Sequence, residues 1–367
     1  MGNVWEILRG SKVNWLLVFL PISVVVELLH LPDIWLFVTS AIAIIPLAHL
    51  IGEATEQLAI KLGPTMGGFM NATFGNAAEL IIGIFALKAG LYELVKASIS
   101  GSIIGNILLI LGLSMLVGGW GRVKQTFDQT AARVTSTMML LATVALVMPA
   151  FLQLEVIGTR ASILNMEEHL SIVVSIILLL TYGASLIFTL KTHQPAYGEV
   201  GVETEHAKLS KRAALVLLAL ATAGTAFEAE LLTSGVTAAT ETLGLSEFFI
   251  GIIVVAIVGN AAEHYSAIVM ARRNRMDLAV TIATASSTQI ALLVAPLLVF
   301  ISLLFGEPMT LVFNGLEIIA IALSVAIATL VSLDGESNWF EGLQLVVVYI
   351  ILAVVFYFIP AGGQIRF

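Results

Sequence analysis

Apolar residues fall in long blocks along this chain, and the blocks are separated by short clusters of Gly, Pro and charge. Three of the clearest blocks, Trp15 to Leu31, Ser171 to Leu190 and Leu343 to Ile359, approach the ~20 residues a helix needs to cross hydrocarbon. They are too long and too uniformly apolar for barrel strands, which would alternate in polarity over about 10 residues, so the pattern predicts membrane-spanning helices. Reading the punctuation gives eleven spans, at about 13–31, 34–60, 65–87, 91–118, 131–153, 167–191, 211–236, 244–271, 277–305, 308–332 and 340–360. The first span follows Arg9 and Lys12 and lacks a small-residue cleavage site, so it reads as a retained helix rather than a signal peptide.

Composition agrees with a bilayer solvent. Of 367 residues, 59% are apolar and 11% charged, and the mean hydropathy is +1.01, which excludes a soluble globular domain. There is no cysteine, so disulfides, thiolate metal sites and cysteine nucleophiles are excluded together. The net charge of −8 and the lack of a large basic tract argue against nucleic acid as a partner. With the N-terminus in the cytoplasm, only Lys88, Lys96, Arg160 and Arg366 among the Lys and Arg residues fall on the far side, as the positive-inside rule requires.

The longest polar interruption, 192–210, carries Glu199, Glu203 and Glu205 and divides the spans into an N-terminal helix (1–33), a five-span half (34–191) and a second five-span half (211–367). Within the third span stands Gly75-Asn76-Ala77-Ala78-Glu79, and the same five residues return 184 positions later as Gly259-Asn260-Ala261-Ala262-Glu263 in the eighth. Copies five spans apart cross the membrane in opposite directions, the arrangement of inverted-topology repeats in secondary transporters. The expected fold is therefore an all-α polytopic membrane protein built as 1 + 5 + 5 helices.

Glu79 and Glu263 lie well inside apolar segments, where an ionised carboxylate costs about 2.5–3.5 kcal/mol even on the lenient insertion scale. Asn76 and Asn260, each three residues earlier, share a helix face with them and add amide oxygens. Gly75 and Gly259 permit close helix approach or a local break that frees main-chain oxygens. Two carboxylates, amides and carbonyls suit a hard divalent cation, calcium first and manganese second, with six to eight oxygens at about 2.3–2.6 Å for calcium. A protonated pair that only ties helices together is the bland alternative for the acids, and plain helix packing is the bland alternative for the glycines and alanines.

Other polar groups surround this motif. Ser102 and Asn106 follow the first copy and Ser286 and Gln289 follow the second, as supporting ligands or as interhelical hydrogen-bonding residues. Glu56 and Glu230 stand toward the ends of the spans before each copy, either as proton acceptors on the access path or as carboxylates reaching the interface. Glu53 and Glu228 lean further toward the interfacial reading. His264 is a candidate for proton coupling, with a purely structural role as its alternative.

These residues carry a resemblance. FGNAAEL at Phe74 to Leu80 and GNAAEH at Gly259 to His264 resemble the two signature repeats of the calcium/proton exchanger (CAX) family of the calcium/cation antiporter superfamily. The likeness extends through ATEQ at Ala54 to Gln57, SISGSIIGN at Ser98 to Asn106 and SSTQIALLV at Ser286 to Val294. It lacks the Gly-Thr-Ser run that related sodium/calcium exchangers carry before the acidic residue. The resemblance implies Glu79 and Glu263 as the central cation-binding and proton-exchanging acids, with Asn76 and Asn260 beside them, and it gives His264 more weight. The plant members carry a long N-terminal regulatory extension that is not seen here, so the implied setting is a prokaryotic plasma membrane rather than a vacuole.

The activity this implies is secondary exchange of Ca2+ for H+, with both ions as cargo, membrane lipid as surroundings, no resident cofactor, and room for a homo-oligomer. An intramembrane metalloenzyme lacks a motif here, with no HExxH and no paired aspartates. An ion channel using the acids as a selectivity ring would carry current without a proton gradient. The acidic linker reads as a solvated connector rather than a regulatory cation site.

Overall fold

The computed structural model describes residues 2–155, 160–192 and 207–359, so Glu199, Glu203, Glu205 and Arg366 lie outside the described residues. The short helix α1 (Gly2–Gly10) turns by 100° into α2 (Lys12–Leu28), a bend held by Asn14, whose side-chain amide donates to the Ile7 carbonyl at 3.1 Å. Then come α3 (Asp33–Leu62), α4 (Pro64–Phe74), α5 (Ala77–Lys88), α6 (Tyr92–Gly119), α7 (Gln129–Glu155) and α8 (Arg160–Ile187). The second half holds α9 (Lys211–Ser234), α10 (Val236–Leu243), α11 (Glu247–Gly259), α12 (Ala261–Arg272), α13 (Met276–Phe305), α14 (Gly315–Val331) and α15 (Trp339–Tyr357). Among the described residues, eight helical stretches are long and apolar enough to cross a membrane, or ten when two sharply bent pairs are each taken as one. The chain is an integral membrane protein.

Local chemistry sets the helix ends. Asp33 opens α3 where an acid suits the helix dipole, and Gly63, at φ 85°, ends it and hands over to Pro64 at the first turn of α4. Ser210 caps α9, and reciprocal Asn–Glu capping boxes start α14 (Asn314, Glu317) and α15 (Asn338, Glu341). The α14 cap corrects the tenth span, expected from 308: Pro308 and the Asn314 cap leave 306–314 non-helical, so the helix begins at Gly315. The eight-residue helix α10, which meets α11 at 113°, is too short to register as a span in the hydropathy pattern.

The ends of the helices gather on two opposite faces. At one face, β1 (Gln125–Thr126) pairs antiparallel with β2 (Glu336–Ser337), Lys124 contacts Glu336 at 2.5 Å, and Gln125 donates to the Ala271 carbonyl at 3.3 Å. At the other face Lys88 pairs with Glu230 at 2.9 Å, and Lys96 donates to Thr310 and to the Val312 carbonyl at 3.1 and 2.9 Å. The core lies along α6 and α13, where Leu94, Ile107, Leu108, Leu111 and Leu292 are fully enclosed. Leu180, Ile176 and Val173 of α8 and Ile350 and Val354 of α15 point outward, as lipid-facing side chains do.

Both GNAAE motifs interrupt their helices. The first break falls at Gly75 and Asn76, with Asn76 at φ −104°, ψ 29°, and the second at Asn260, with φ −88°, ψ 10°. Two π-helical stretches also recur at this spacing, Gly105–Ile110 in α6 and Ile290–Val294 in α13. Such wide turns in the middle of helices often mark functional sites.

Candidate cation site

The two breaks meet. A Cβ added to Gly259 would stand 3.1 Å from Glu79 Cγ and 3.5 Å from its Cδ and Oε1, so the backbone at the second break lies directly on the first glutamate. Glu263 stands four residues after Gly259, in the first turn of α12 as it leaves the second break. A Cβ added to Gly75 would in turn lie 3.5 Å from Gln289 Oε1. At Gly259 the missing side chain permits this close approach, since a Cβ would crowd Glu79; at Gly75 the tight contact is with the Asn71 carbonyl, at 2.8 Å, and Gln289 lies at ordinary contact distance.

All six supporting residues named from the sequence fall into one hydrogen-bonded chain. Asn76 Nδ2 donates to Gln289 Oε1 at 2.6 Å, and Ser286 Oγ donates to Asn76 Oδ1 at 2.8 Å. Asn106 Nδ2 donates to Ser286 Oγ at 3.0 Å and to Asn260 Oδ1 at 2.8 Å. Asn260 Nδ2 completes the chain, donating to Ser102 Oγ at 2.7 Å and to the Ala256 carbonyl at 2.8 Å. Ser102 and Ser286 are 184 positions apart, as are Asn76 and Asn260, so each asparagine meets the serine of the opposite half. The chain ties both breaks to α6 and α13 and satisfies nearly every amide within it.

The carboxylate is left over. Glu79 Oε1 and Oε2 are both enclosed with no hydrogen-bond donor, and Asn106 Oδ1 and His264 Nε2 are likewise unpartnered. An enclosed carboxylate without donors is costly, and neutralisation by a cation or by protons removes that cost. Among the described residues no cluster of three or more His, Asp or Glu side chains forms a ready-made metal site. The Glu79 carboxylate and the amide oxygens of the chain are hard oxygen donors of the kind that calcium takes as ligands.

The family model described as sodium/calcium exchanger protein matches residues 33–191 and 213–358. The chain belongs to that family. Its two matched blocks flank the acidic linker. Within the family, this exchanger is 42% identical over 365 residues to the Ca(2+)/H(+) antiporter of Aphanothece halophytica, covering 95% of this chain and 97% of that one. It is 45% identical over 344 residues to the Ca(2+)/H(+) antiporter ChaA of Bacillus subtilis, covering 92% and 96%. Native YfkE, a solved structure, superimposes with TM-score 0.79 at 43% identity over 93% of this chain and 97% of that one. Proteins carrying the antiporter name are transporters and not enzymes.

The remaining acids of this exchanger are spread apart. Glu230 is exposed at the far end of α9, in its ion pair with Lys88, and Glu56 is exposed near the end of α3, so neither is brought to the central site. His264 is half-buried beside Glu263. Glu228, which the sequence places near an interface, is fully enclosed instead: its Oε1 accepts from Ser23 Oγ of α2 at 2.6 Å, and its Oε2 has no donor. Lys96 and Glu317 were not singled out by sequence. Glu317 accepts from Ser100 at 2.9 Å and from the Asn314 amide at 2.9 Å, near the half-buried Lys96. A charged residue inside an apolar run was the available signal for Lys96.

Proposed function

We propose that this protein exchanges Ca2+ for H+ across a membrane by alternating access, with Glu79 and Glu263 as the carboxylates that hold either the cation or the protons. The observation that carries this reading is the pair of donor-free oxygens on Glu79, enclosed and pressed against Gly259 at the second break. In this reading residues 34–191 and 211–367 are five-helix halves of inverted topology, 1–33 adds an N-terminal helix, and 192–210 is a cytoplasmic linker. The protein sits in a prokaryotic plasma membrane with a cytoplasmic N-terminus and exports cytosolic Ca2+. Manganese is a second cargo, and the site needs no resident cofactor.

Electrostatics couples the fluxes. Occluding two bare carboxylates is more costly than occluding a neutralised pair, so the loaded site changes sides and the empty, doubly charged one does not. Cation binding requires deprotonated acids, so the site opening to the more acidic compartment takes up protons there and releases Ca2+ into it, and the protons are carried to the other side. Asn76, Asn260, Ser102, Asn106, Ser286 and Gln289 hold the two breaks in register and present amide oxygens at the site, while Glu56, Glu230 and His264 lie outside that chain on the routes that protons take. Uptake of Ca2+ into proteoliposomes under an imposed pH gradient tests the proposal. Uptake should track the gradient and be lost in Glu79→Gln and in Glu263→Gln; uptake without proton countermovement, or undiminished in both variants, overturns it.

A further inference from the structure

Residues at equivalent places in the two GNAAE segments differ sharply in their surroundings. Met66 of α4 is 49% exposed, whereas Ile250, 184 positions later in α11, is fully enclosed. Asn71 is exposed, whereas its equivalent Val255 is buried. Gly67 leans on α3, where a Cβ would meet the Ala59 carbonyl at 2.8 Å; its equivalent Gly251 presses on α6, where a Cβ would meet the Leu94 carbonyl at 2.7 Å. The close packing of α11 on α6 is sealed by Gly101, where a Cβ would fall 2.0 Å from the Ile252 carbonyl. Finally, Ile250–Val255 is π-helical, while residues 66–71 form ordinary α-helix. One half-helix is packed home and the other is splayed away from its place.

A specific bond accompanies the splayed position. The Tyr182 hydroxyl of α8 donates to the Ala72 carbonyl at 2.9 Å, in the last turn of α4 just before the break. At the second break the equivalent carbonyl, Ala256, takes its bonds from its own segment, from the Asn260 amide at 3.2 Å and the Asn260 side chain at 2.8 Å. Leu190, two turns beyond Tyr182 in the π-helical stretch Phe188–Thr192 that continues from α8, fills the space beside Gly68, whose Cβ would run into Leu190 Cδ2. Tyr182 itself is buried, so its hydroxyl has a strong need for an acceptor.

We propose that Tyr182 is a positioning residue: its bond to the carbonyl of Ala72 latches α4 in the splayed position, and the latch opens when α4 packs onto α13 as α11 now packs onto α6. The inference rests on the alternating-access reading above. In the splayed state the latch satisfies a main-chain acceptor at the break; in the packed state that acceptor is served from within its own segment, as Ala256 is now. The hydroxyl thus sets the balance between the two states without touching the cargo.

The absence of native cysteine allows single reporters to be read cleanly. Asn71→Cys and Val255→Cys, each introduced alone into the full chain, are reacted with a charged maleimide that needs water to reach them. With Tyr182 intact, Asn71→Cys should react fast and Val255→Cys slowly. Adding Tyr182→Phe, which keeps the ring and removes only the bond, should raise Val255→Cys reactivity roughly three- to tenfold while Asn71→Cys does not rise. An unchanged Val255→Cys rate, or a rise at both positions together as in general loosening, overturns the latch. Titration with Ca2+ and with acid, Tyr182 intact, separates the two levels of the argument. If the reporters never move in opposite directions, alternating access falls and the latch with it; if they do so and Tyr182→Phe changes nothing, the latch alone falls.

Discussion

Glu79 lies against the main chain of Gly259, with 3.1 Å between its Cγ and the position a Cβ would take there. The motif of one half thus forms the wall of the acid site supplied by the other. In the proposed exchange neither copy makes a site alone, and the cation is held where the two breaks meet.

Gly259→Ala should therefore weaken cation binding. The new methyl crowds Glu79 in an enclosed setting, where overpacking costs about 1–3 kcal/mol, so the KM for Ca2+ in proteoliposome uptake should rise roughly tenfold. An equal fall in folded yield at unchanged KM would place the cost in folding and not in the site.

The amide chain should behave as a unit. Asn106→Ala strips donors from both Ser286 and Asn260, and Asn260→Ala strips partners from both Asn106 and Ser102. Each should cost about 1–3 kcal/mol of stability through the polar groups left enclosed and unpaired. The double variant should cost clearly less than the sum, because the bond between the two residues is removed only once. Thermal unfolding of the four proteins in detergent measures this, and strict additivity would argue against one connected network.

Apparent Ca2+ affinity should fall as pH falls. Binding needs both carboxylates deprotonated, so each proton displaced lowers affinity by up to about tenfold per pH unit in the range where the free site is protonated. Glu79→Gln and Glu263→Gln each remove one proton acceptor and should flatten the slope. Equilibrium Ca2+ titrations at a series of pH values read it directly.

The Glu228–Ser23 contact should matter for stability and little for cargo. Ser23→Ala removes the donor to Glu228 Oε1 and leaves the enclosed carboxyl without any partner, at a cost of about 1–3 kcal/mol. The melting temperature should drop while the KM for Ca2+ stays within about twofold, since α2 lies outside the acid site. A large shift in KM would bring α2 into the transport cycle.

Much of this architecture was legible in the residue pattern because a bilayer reads sequence so literally. Every span must be apolar for its whole length, so 34–60 and 277–305 announced α3 and α13 to within a few residues. The acids were legible for the same reason, since Glu79 and Glu263 stand out against a background where charge is costly. Glu228 misled because its neighbours in sequence do not disclose that Ser23, 205 positions away, covers it. Tyr182 gave no signal at all: a tyrosine in an apolar helix reads as packing until its hydroxyl is seen to reach Ala72.

By itself, then, the order of residues located most of the long helices, the two glycines that permit a break and the residue types gathered near them, because backbone hydrogen bonding in lipid and the cost of buried charge are local demands. Only the tertiary structure decided which groups meet: that Gly259 abuts Glu79, that Asn106 bridges Ser286 and Asn260, and that α4 is splayed where α11 is packed. Two nearly identical motifs carry the same local instructions. The difference between their positions resides in long-range contacts, through Gly101 and Tyr182, that no local pattern encodes.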